Sequence, residues 1–250
     1  MKFVTFNIRC DHGQDGENSF CYRSPLIQRV IGEEKPDILC FQEVLPHQAA
    51  WLHGALGDYT VIGCGRDADF GGEEMTVAFR RDAYWLLEMH TFWLSETPLQ
   101  PGTRYPEQSS CSRVCTEAVL RETNGGRILR VLNTHLDHVG QLPRKLGLEQ
   151  ILRYAAQKGP FSAAPVILAG DFNALPESEE MRGIEQDPDW RNAAENIGIT
   201  YHGYGKAEDP AQIDYIWVRG ELRCASVCKW EQCENGVYLS DHYPVCAELV

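Results

Sequence analysis

The stretch GDFNALP, residues 170 to 176, follows directly on the apolar run Val166 to Ala169. Such a short apolar run is typical of a buried strand, so the strand is predicted to end where Asp171 begins. An acid and an amide two residues apart at a strand exit have an ordinary structural explanation. Asp171 would cap the following turn, and Asn173 would form an Asx-turn. The stretch therefore predicts a strand exit, and its function depends on the rest of the chain.

Polar side chains of the same few types recur at other predicted strand ends. They lie in five further motifs: Asn7 in TFNIR, Glu43 in FQEV, His135, Asp137 and His138 in NTHLDH, Asp214 in IDYIWV, and Asp241 and His242 in SDHYPV. Mg²⁺ prefers oxygen ligands such as carboxylates and amides. Hydrolysis of a phosphoester also needs a proton acceptor and donors that neutralise the phosphate oxygens. The recurrence predicts a metal-dependent phosphoester site where these strand ends meet.

Strand patterns outnumber helix patterns along the chain. Strands are predicted at 2–8, 37–41, 59–64, 75–80, 84–94, 113–121, 128–134, 165–169, 213–218, 222–230 and 243–249. Helices are predicted at 24–34, 46–56, 143–157 and 178–193. Hairpin-like strand pairs mixed with strands joined through helices indicate an α/β fold with mixed sheets and external helices. Since no Gly/Ser or Pro linker divides the chain, residues 1–250 are expected to form one domain.

Composition limits the partners of the protein. The formal net charge is -13, and no stretch is rich in Lys and Arg, so long nucleic acids are disfavoured as partners. A small phosphorylated substrate remains compatible with an acidic pocket if a divalent cation reverses the local field. No apolar run is long enough to insert in a membrane, and Lys2 to Ile8 already has a strand pattern. The cytoplasm is therefore expected, with secretion only if a leader has been removed, and the oligomeric state is left open.

The ten cysteines are irregularly spaced, which favours reduced and mostly buried thiols over a disulfide framework. Cys111-x3-Cys115 and Cys224-x3-Cys228-x4-Cys233 can be written as fragments of a zinc site. No Cys-x2-Cys pair or matched histidines accompany them, so zinc is the lesser alternative.

The six motifs, in this order from residue 3 to about 247, resemble those of the endonuclease/exonuclease/phosphatase superfamily. Its members include pancreatic-type deoxyribonucleases, sphingomyelinases and inositol polyphosphate phosphatases. The resemblance implies a deoxyribonuclease I-like fold, which is a four-layer α/β sandwich of two packed mixed β-sheets flanked by helices. It also implies a divalent cation, Mg²⁺ with Mn²⁺ as the alternative, and in-line attack of water on a phosphoester.

The resemblance further implies roles for individual residues. Glu43 would be the main metal ligand, with Asn7 beside it and Asp241 near the cation or its waters. Asp171 would orient or deprotonate the attacking water, and Asn173 would hold that water or a phosphate oxygen. His242, oriented by Asp214, would contact the scissile phosphate. His135 would lie on the other side of the phosphate as a phosphate or leaving-group donor. The family offers more than one assignment of the general base.

Four stretches resemble a group of bacterial members of this superfamily: RCDHGQDGEN, GRDADFGGEE, TFWLSETPLQPG and NTHLDHVG. They make Asp11, Glu73, Asp137 and His138 candidates for the substrate pocket, and Arg113 and Arg144 candidates for phosphate contacts. Each has surface ion pairing as its alternative. We expect a hydrolase of a small phosphomonoester or phosphodiester. The alternatives are a nuclease on short single strands, a lipid head-group phosphodiesterase, and a catalytically silent binding scaffold.

Overall fold

The computed structural model describes all residues from Met1 to Val250 and contains two six-stranded sheets. The first sheet has the strand order β11-β14-β1-β2-β4-β3. Its strands are β1 (Lys2–Asn7), β2 (Ile38–Val44), β3 (Tyr59–Ile62), β4 (Glu74–Arg80), β11 (Cys224–Lys229) and β14 (Val245–Leu249). Helix α1 (Phe20–Glu34) connects β1 to β2, which are parallel, and α2 (Pro46–Ala55) follows β2. The other pairs in this sheet are antiparallel.

The second sheet has the strand order β5-β6-β7-β8-β10-β9. Its strands are β5 (Tyr84–Trp93), β6 (Val114–Glu122), β7 (Ile128–His135), β8 (Val166–Asp171), β9 (Trp190–Asn192) and β10 (Asp214–Arg219). Helix α3 (Gln141–Ala155) connects β7 to β8, the one parallel pair here. A short hairpin of β12 (Cys233–Glu234) and β13 (Val237–Tyr238) lies outside both sheets. No helix of the structure is long and apolar enough to span a bilayer.

The two sheets pack face to face over an apolar core that both supply. Phe3 and Val77 of the first sheet lie in one cluster with Val131 and Ile216 of the second. The outer face of the first sheet packs against α1 and α2, and that of the second against α3. Central strands are buried on both faces, which is why they are almost continuously apolar in the sequence. The predicted four-layer sandwich is confirmed.

The predicted helix at 178–193 is wrong. This segment contains a 3-10 turn at Glu179–Met181, a single helical turn α4 (Arg182–Glu185), and β9. Pro188 cannot donate a main-chain hydrogen bond and disfavours helix at Asp187, so the helix ends before them. Trp190 then pairs with Arg219 at the edge of the second sheet. The apolar residues that give this segment a helix-like spacing pack against the second sheet instead.

The pairing of strands brings the polar strand ends to one edge of the sandwich. In the parallel pair β7 and β8, His135 lies opposite Asp171, and in the antiparallel pair β10 and β8, Asp214 lies opposite Asp171. Gly170 allows this close approach. Its φ is +147°, and a Cβ atom there would lie 1.9 Å from the carbonyl oxygen of Thr134. A side chain at position 170 would therefore separate the two strands that carry His135 and Asp171.

Candidate active site

A pocket of about 440 Å³ opens at this edge, and side chains from both sheets line it. Nine of the predicted residues are in its lining: Glu43, Glu73, Arg113, His135, His138, Asp171, Asn173, Asp241 and His242. Asn7 and Asp214 are not in this lining but are bonded to it, Asn7 to Glu43 and Asp171, and Asp214 to His242. A larger surface cavity of about 670 Å³, between α1, α2 and β4, contains none of the predicted residues. The polar strand ends therefore converge on the smaller pocket.

Glu43 is the carboxylate most firmly fixed in the pocket. Its Oε1 accepts a hydrogen bond from Asn7 Nδ2 at 3.0 Å, and its Oε2 accepts one from the main-chain N–H of Cys10 at 2.8 Å. Its backbone is left-handed, with φ of +62°, beside an irregularity in the pairing of β2 with β4. Burial opposes ionisation, but these hydrogen bonds and the positive charge of His242 hold the pKa of Glu43 below its usual value. Glu43 is therefore a carboxylate at neutral pH.

Asp171 connects the two sheets at the floor of the pocket. Its Oδ2 accepts from Asn7 Nδ2 at 3.0 Å, and its Oδ1 accepts from the main-chain N–H of Asn173 at 2.9 Å. Burial, together with the charge of Asp214, raises the pKa of Asp171 to about 7. A carboxyl group with a pKa in this range can accept or hold a proton near neutral pH.

His242 and Asp214 form a buried pair. His242 Nδ1 lies 2.8 Å from Asp214 Oδ2, and its Nε2 lies 3.8 Å from Asp171 Oδ2. Burial lowers the pKa of His242, but the adjacent Asp214 outweighs it and raises the pKa to about 10. The ring of Tyr201 packs on the imidazole at 5.0 Å between centroids. The imidazole is thus a fixed cation that faces the pocket.

His135 stands on the other side of Asp171. Its Nε2 lies 2.9 Å from Asn173 Nδ2 and 3.4 Å from Asp171 Oδ2. Burial, together with the charge of Arg113, keeps the pKa of His135 well below its usual value. Its Nδ1 is buried and has no hydrogen-bond partner. A neutral imidazole with one unpaired ring nitrogen is thus present at the pocket wall.

Asp241 supplies a third carboxylate on the same side as Glu43. Its Oδ1 accepts from Ser240 Oγ at 3.1 Å, and its Oδ2 lies 3.6 Å from Arg9 Nε. Burial raises the pKa of Asp241, and the charge of Glu43 adds to this effect. Asp171, Asp241 and Glu43 therefore concentrate negative charge in a small volume, which a bound cation would offset.

A wall of charged side chains borders the pocket away from these carboxylates. Arg66 donates two hydrogen bonds to Glu73, at 2.6 and 2.8 Å. Arg113 Nη2 lies 2.8 Å from His138 Nδ1, while Nε and Nη1 of Arg113 are buried without a hydrogen-bond partner. Such unsatisfied guanidinium donors favour an anionic ligand. Arg113 Nε also lies 3.8 Å from Asp137 Oδ1, and a contact of Arg113 with a phosphate stays a prediction.

Three predicted substrate residues lie outside the pocket lining. Asp137 is buried beneath Arg113 and accepts from Ser109 and from the main chain at Gly140. Arg144 donates to Glu180 at 2.7 Å and to the carbonyl oxygen of Asp137. Asp11 pairs with His47 at 3.0 Å on an exposed part of the surface. Asp137 and Arg144 therefore hold neighbouring loop segments in place. Asp11 forms a surface ion pair, which is the alternative to a substrate contact stated in the sequence analysis.

Several residues near the pocket escaped the sequence interpretation. Arg9 reaches Asp241, Arg66 holds Glu73, and Tyr201 packs on His242. Only Arg9 carried a signal, because it follows directly on the TFNI run. Gln42 and Asn133 also end apolar runs, but they point between the sheets, where Gln42 Nε2 donates to Asn133 Oδ1 at 2.7 Å.

The donor atoms present suit a hard divalent cation. Ligand atoms of Glu43, His135 and Asp171 lie within 4.8 Å of one another, as do those of Asp171, Asp214 and His242. In the second set His242 Nδ1 and Asp214 Oδ2 already contact each other at 2.8 Å. Around Glu43 the oxygen donors are carboxylates, which Mg²⁺ and Mn²⁺ prefer over softer ligands, whereas Asn7 directs its Nδ2 to Glu43 and Asp171 and its Oδ1 accepts from the main-chain N–H of Arg9. All ten cysteines are free thiols, but only Cys40, Cys115 and Cys246 are buried, so the prediction that most are buried is wrong.

Comparison with known proteins shows what the chain resembles. The family model described as the Endonuclease/Exonuclease/phosphatase family matches residues 4–242. A protein of that description from Bacteroides vulgatus has 31% identity and a TM-score of 0.93, over 100% of this chain and 98% of its own. A mannosyl-6-phosphatase from Bacteroides thetaiotaomicron has 25% identity and a TM-score of 0.90, over 100% and 99%. A functionally unknown protein from Enterococcus faecalis has 27% identity and a TM-score of 0.89, over 100% and 99%. No curated protein matches the sequence.

Proposed function

Because the chain belongs to the endonuclease/exonuclease/phosphatase family, we propose that it is a divalent-metal-dependent hydrolase of a small phosphorylated molecule. The observation that carries this proposal is the convergence of Glu43, His135, Asp171 and His242 on one pocket, although up to 199 residues separate them in the sequence (242 minus 43). Acidic, neutral and cationic groups are all present within that pocket. This combination is what phosphoester hydrolysis requires.

In this proposal the cation is held by Glu43 together with Asn7 and Asp241. Mg²⁺, or Mn²⁺ in its place, would supply Lewis-acid stabilisation of the charge that develops on the phosphate oxygens. The fit rests on oxygen donors and on negative charge: Glu43 is ionised, and burial together with repulsion from Glu43 raises the pKa of Asp241. The hydrogen bonds from Asn7 and Cys10 fix the orientation of the Glu43 carboxylate before any ligand binds.

The remaining pocket residues divide the work on water and phosphate. Asp171 orients the attacking water and accepts its proton, a role that its raised pKa near 7 supports. Asn173 holds this water or a phosphate oxygen. His242, kept protonated and oriented by Asp214, donates to the phosphate from one side. His135 and Arg113 approach from the other side, each with an unpaired nitrogen.

The size and charge of the pocket favour a small substrate. A volume of about 440 Å³ lies at the small end of the range for ligand-sized clefts. The net charge of -13 disfavours long nucleic acids. The mannosyl-6-phosphatase of similar structure supports a phosphomonoester of a sugar or a related polyol as the first substrate class to test. Glu73 and His138, on the charged wall, would then face the leaving group.

The test is a metal-dependent screen of purified protein. Sugar phosphates, nucleotides, inositol phosphates, phospholipid head groups and short single-stranded oligonucleotides are incubated with Mg²⁺, Mn²⁺ or EDTA, and the released products are quantified. We expect turnover of a small phosphoester that EDTA abolishes and that Asp171→Ala reduces by about a hundredfold or more. Equal background rates for the wild type and Asp171→Ala across the panel would support a binding scaffold instead. Preference for oligonucleotides, lost steeply with added salt, would support a nuclease.

A further inference from the structure

Arg23, in the first turns of α1, is fully buried at 0% exposure. Its guanidinium donates to four main-chain carbonyl oxygens: Asn18 at 2.6 Å, Ile8 at 2.7 Å, Leu239 at 2.9 Å and Arg9 at 3.3 Å. A buried charge is costly unless its donors are paired. Every one of these pairings is with main chain, so the side chain fixes the position of backbone segments.

Three of the four carbonyl acceptors of Arg23 belong to segments that carry the proposed metal ligands. Ile8 and Arg9 follow directly on Asn7 at the exit of β1, and Leu239 lies two residues before Asp241. These segments are more than 200 residues apart in the chain (239 minus 9 is 230). Arg23 Nη1 alone donates to both Ile8 and Leu239. One nitrogen thus connects the two sides of the site.

The Arg9 segment needs such support because its backbone is unusual. Arg9 is left-handed, with φ of +64°, a conformation that costs free energy in a residue with a side chain. Three contacts hold it there: Arg23 and Gln48 donate to its carbonyl oxygen, and its own N–H donates to Asn7 Oδ1. In this conformation the Arg9 side chain reaches Asp241. The geometry of Asn7 and of Asp241 therefore depends on the same backbone turn.

We propose that Arg23 is a positioning residue that holds Asn7 and Asp241 at the separation the metal site requires. This inference rests on the proposed function. Only a guanidinium has enough fixed donors for these acceptors, because a lysine ammonium is a shorter group with three donors and no planar fork. Lysine at position 23 would keep the charge but lose the simultaneous bonds to Ile8 and Leu239.

The test compares Arg23→Lys with Arg130→Lys in the full-length protein. Arg130 is the control because it is also a buried arginine, in β7. Its guanidinium is bonded to Glu117 and to the carbonyl oxygen of Ala155 and to neither of the two segments. Hydrogen exchange is measured on the metal-free proteins, and Mn²⁺ binding is measured by electron paramagnetic resonance. We expect Arg23→Lys to speed exchange at residues 8–10 and 239–242 by about tenfold and to weaken Mn²⁺ binding by about tenfold. Arg130→Lys should change neither.

The outcomes separate this inference from the proposed function. If Arg23→Lys only lowers the unfolding temperature, while local exchange and Mn²⁺ affinity stay at wild-type values, Arg23 has no positioning role. If the wild type binds no Mn²⁺, the proposed function fails, and the exchange pattern still decides whether Arg23 connects the two segments. With substrate, kcat should fall about tenfold while KM changes less than about threefold.

A second variant covers the case in which Arg23→Lys does not fold. Gln48→Leu removes the other donor to the Arg9 carbonyl oxygen and leaves the guanidinium in place. It should speed exchange at residues 8–10 and weaken Mn²⁺ binding, while exchange at 239–242 stays unchanged. Unchanged Mn²⁺ affinity despite faster exchange at residues 8–10 would show that the Arg9 turn does not set the metal site, which contradicts the proposal. Faster exchange in both segments would show that something other than Arg23 connects them.

Discussion

Glu43→Gln tests the proposed metal site most directly. The substitution keeps the shape of the side chain and removes its charge. It also replaces one oxygen that now accepts from Asn7 Nδ2 or Cys10 N–H by an amide NH₂, so one of these donors loses its acceptor. Leaving a buried donor unpaired costs about 1–3 kcal/mol of unfolding free energy. A protein of this size should remain folded after such a loss.

The effect on turnover should be larger than the effect on stability. A cation that stabilises transition-state charge contributes several kcal/mol, and each ~1.4 kcal/mol is tenfold in rate. We therefore expect metal-dependent turnover to fall by about 10²–10³, together with weaker Mg²⁺ and Mn²⁺ binding by calorimetry. The assay is product release from the best substrate of the screen at saturating metal, with the folded fraction checked by urea unfolding.

Glu74→Gln is the matched control for Glu43→Gln. Glu74 is a half-buried carboxylate at the start of β4 that accepts from Thr76 Oγ1, and it is absent from the pocket lining. Its substitution should leave turnover within about threefold of wild type. Wild-type metal affinity and turnover in folded Glu43→Gln would refute the assignment of Glu43 as the principal ligand. Equal losses in both variants would show that the effect is general to carboxylates near this edge.

Three further predictions follow from other contacts. Asp214→Asn removes the charge that orients the His242 imidazole. In steady-state kinetics kcat should therefore fall about a hundredfold, while KM changes less than about threefold. An unchanged kcat would exclude this orienting role. Gly170→Ala places a Cβ atom against the carbonyl oxygen of Thr134. Urea unfolding should therefore show a free energy of unfolding lower by more than about 3 kcal/mol. A decrease below about 1 kcal/mol would contradict the close approach of the two strands. Burial alone would raise the pKa of Glu180, but hydrogen bonds from the α3 side chains Arg144 and Gln141 outweigh burial and lower it. The resulting stabilisation is present above the unfolded-state pKa and is lost as pH falls through the folded-state pKa. Between pH 6 and pH 3 the wild type should therefore lose more unfolding free energy than Glu180→Gln, and equal losses would show that these hydrogen bonds contribute nothing to stability.

The sequence predicted the strand-end residues because their signal is local. An apolar run that ends in Asp171 or Glu43 identifies both the strand and the side chain at its exit, and parallel pairing then places such exits together. The same reasoning failed at 178–193, where a helix period hid β9, because pairing with β10 overrides local preference.

The ion-pair partners around the pocket could not be predicted in this way. Glu73 meets Arg66 within one loop, whereas Arg144 meets Glu180 across 36 residues, and nothing in either local pattern distinguishes a pocket residue from a supporting one. Arg23 was hidden for the same reason, because its acceptors are carbonyl oxygens that carry no sequence signal. The partners of charged residues in long loops could therefore be identified only from the structure.

The buried amide pair of Gln42 and Asn133 has a consequence for how this protein can change its substrate. Asn133 also donates to the carbonyl oxygens of Phe41 and Thr76, so the strands that end in the hydrolytic groups are fastened to one another inside the core. The residues that would face the leaving group, by contrast, come from loops: Glu73 lies just before β4, and His138 lies between β7 and α3. Insertions and substitutions in those loops can accumulate without disturbing the reactive geometry. New specificities can therefore arise while the residues proposed to carry out hydrolysis stay unaltered.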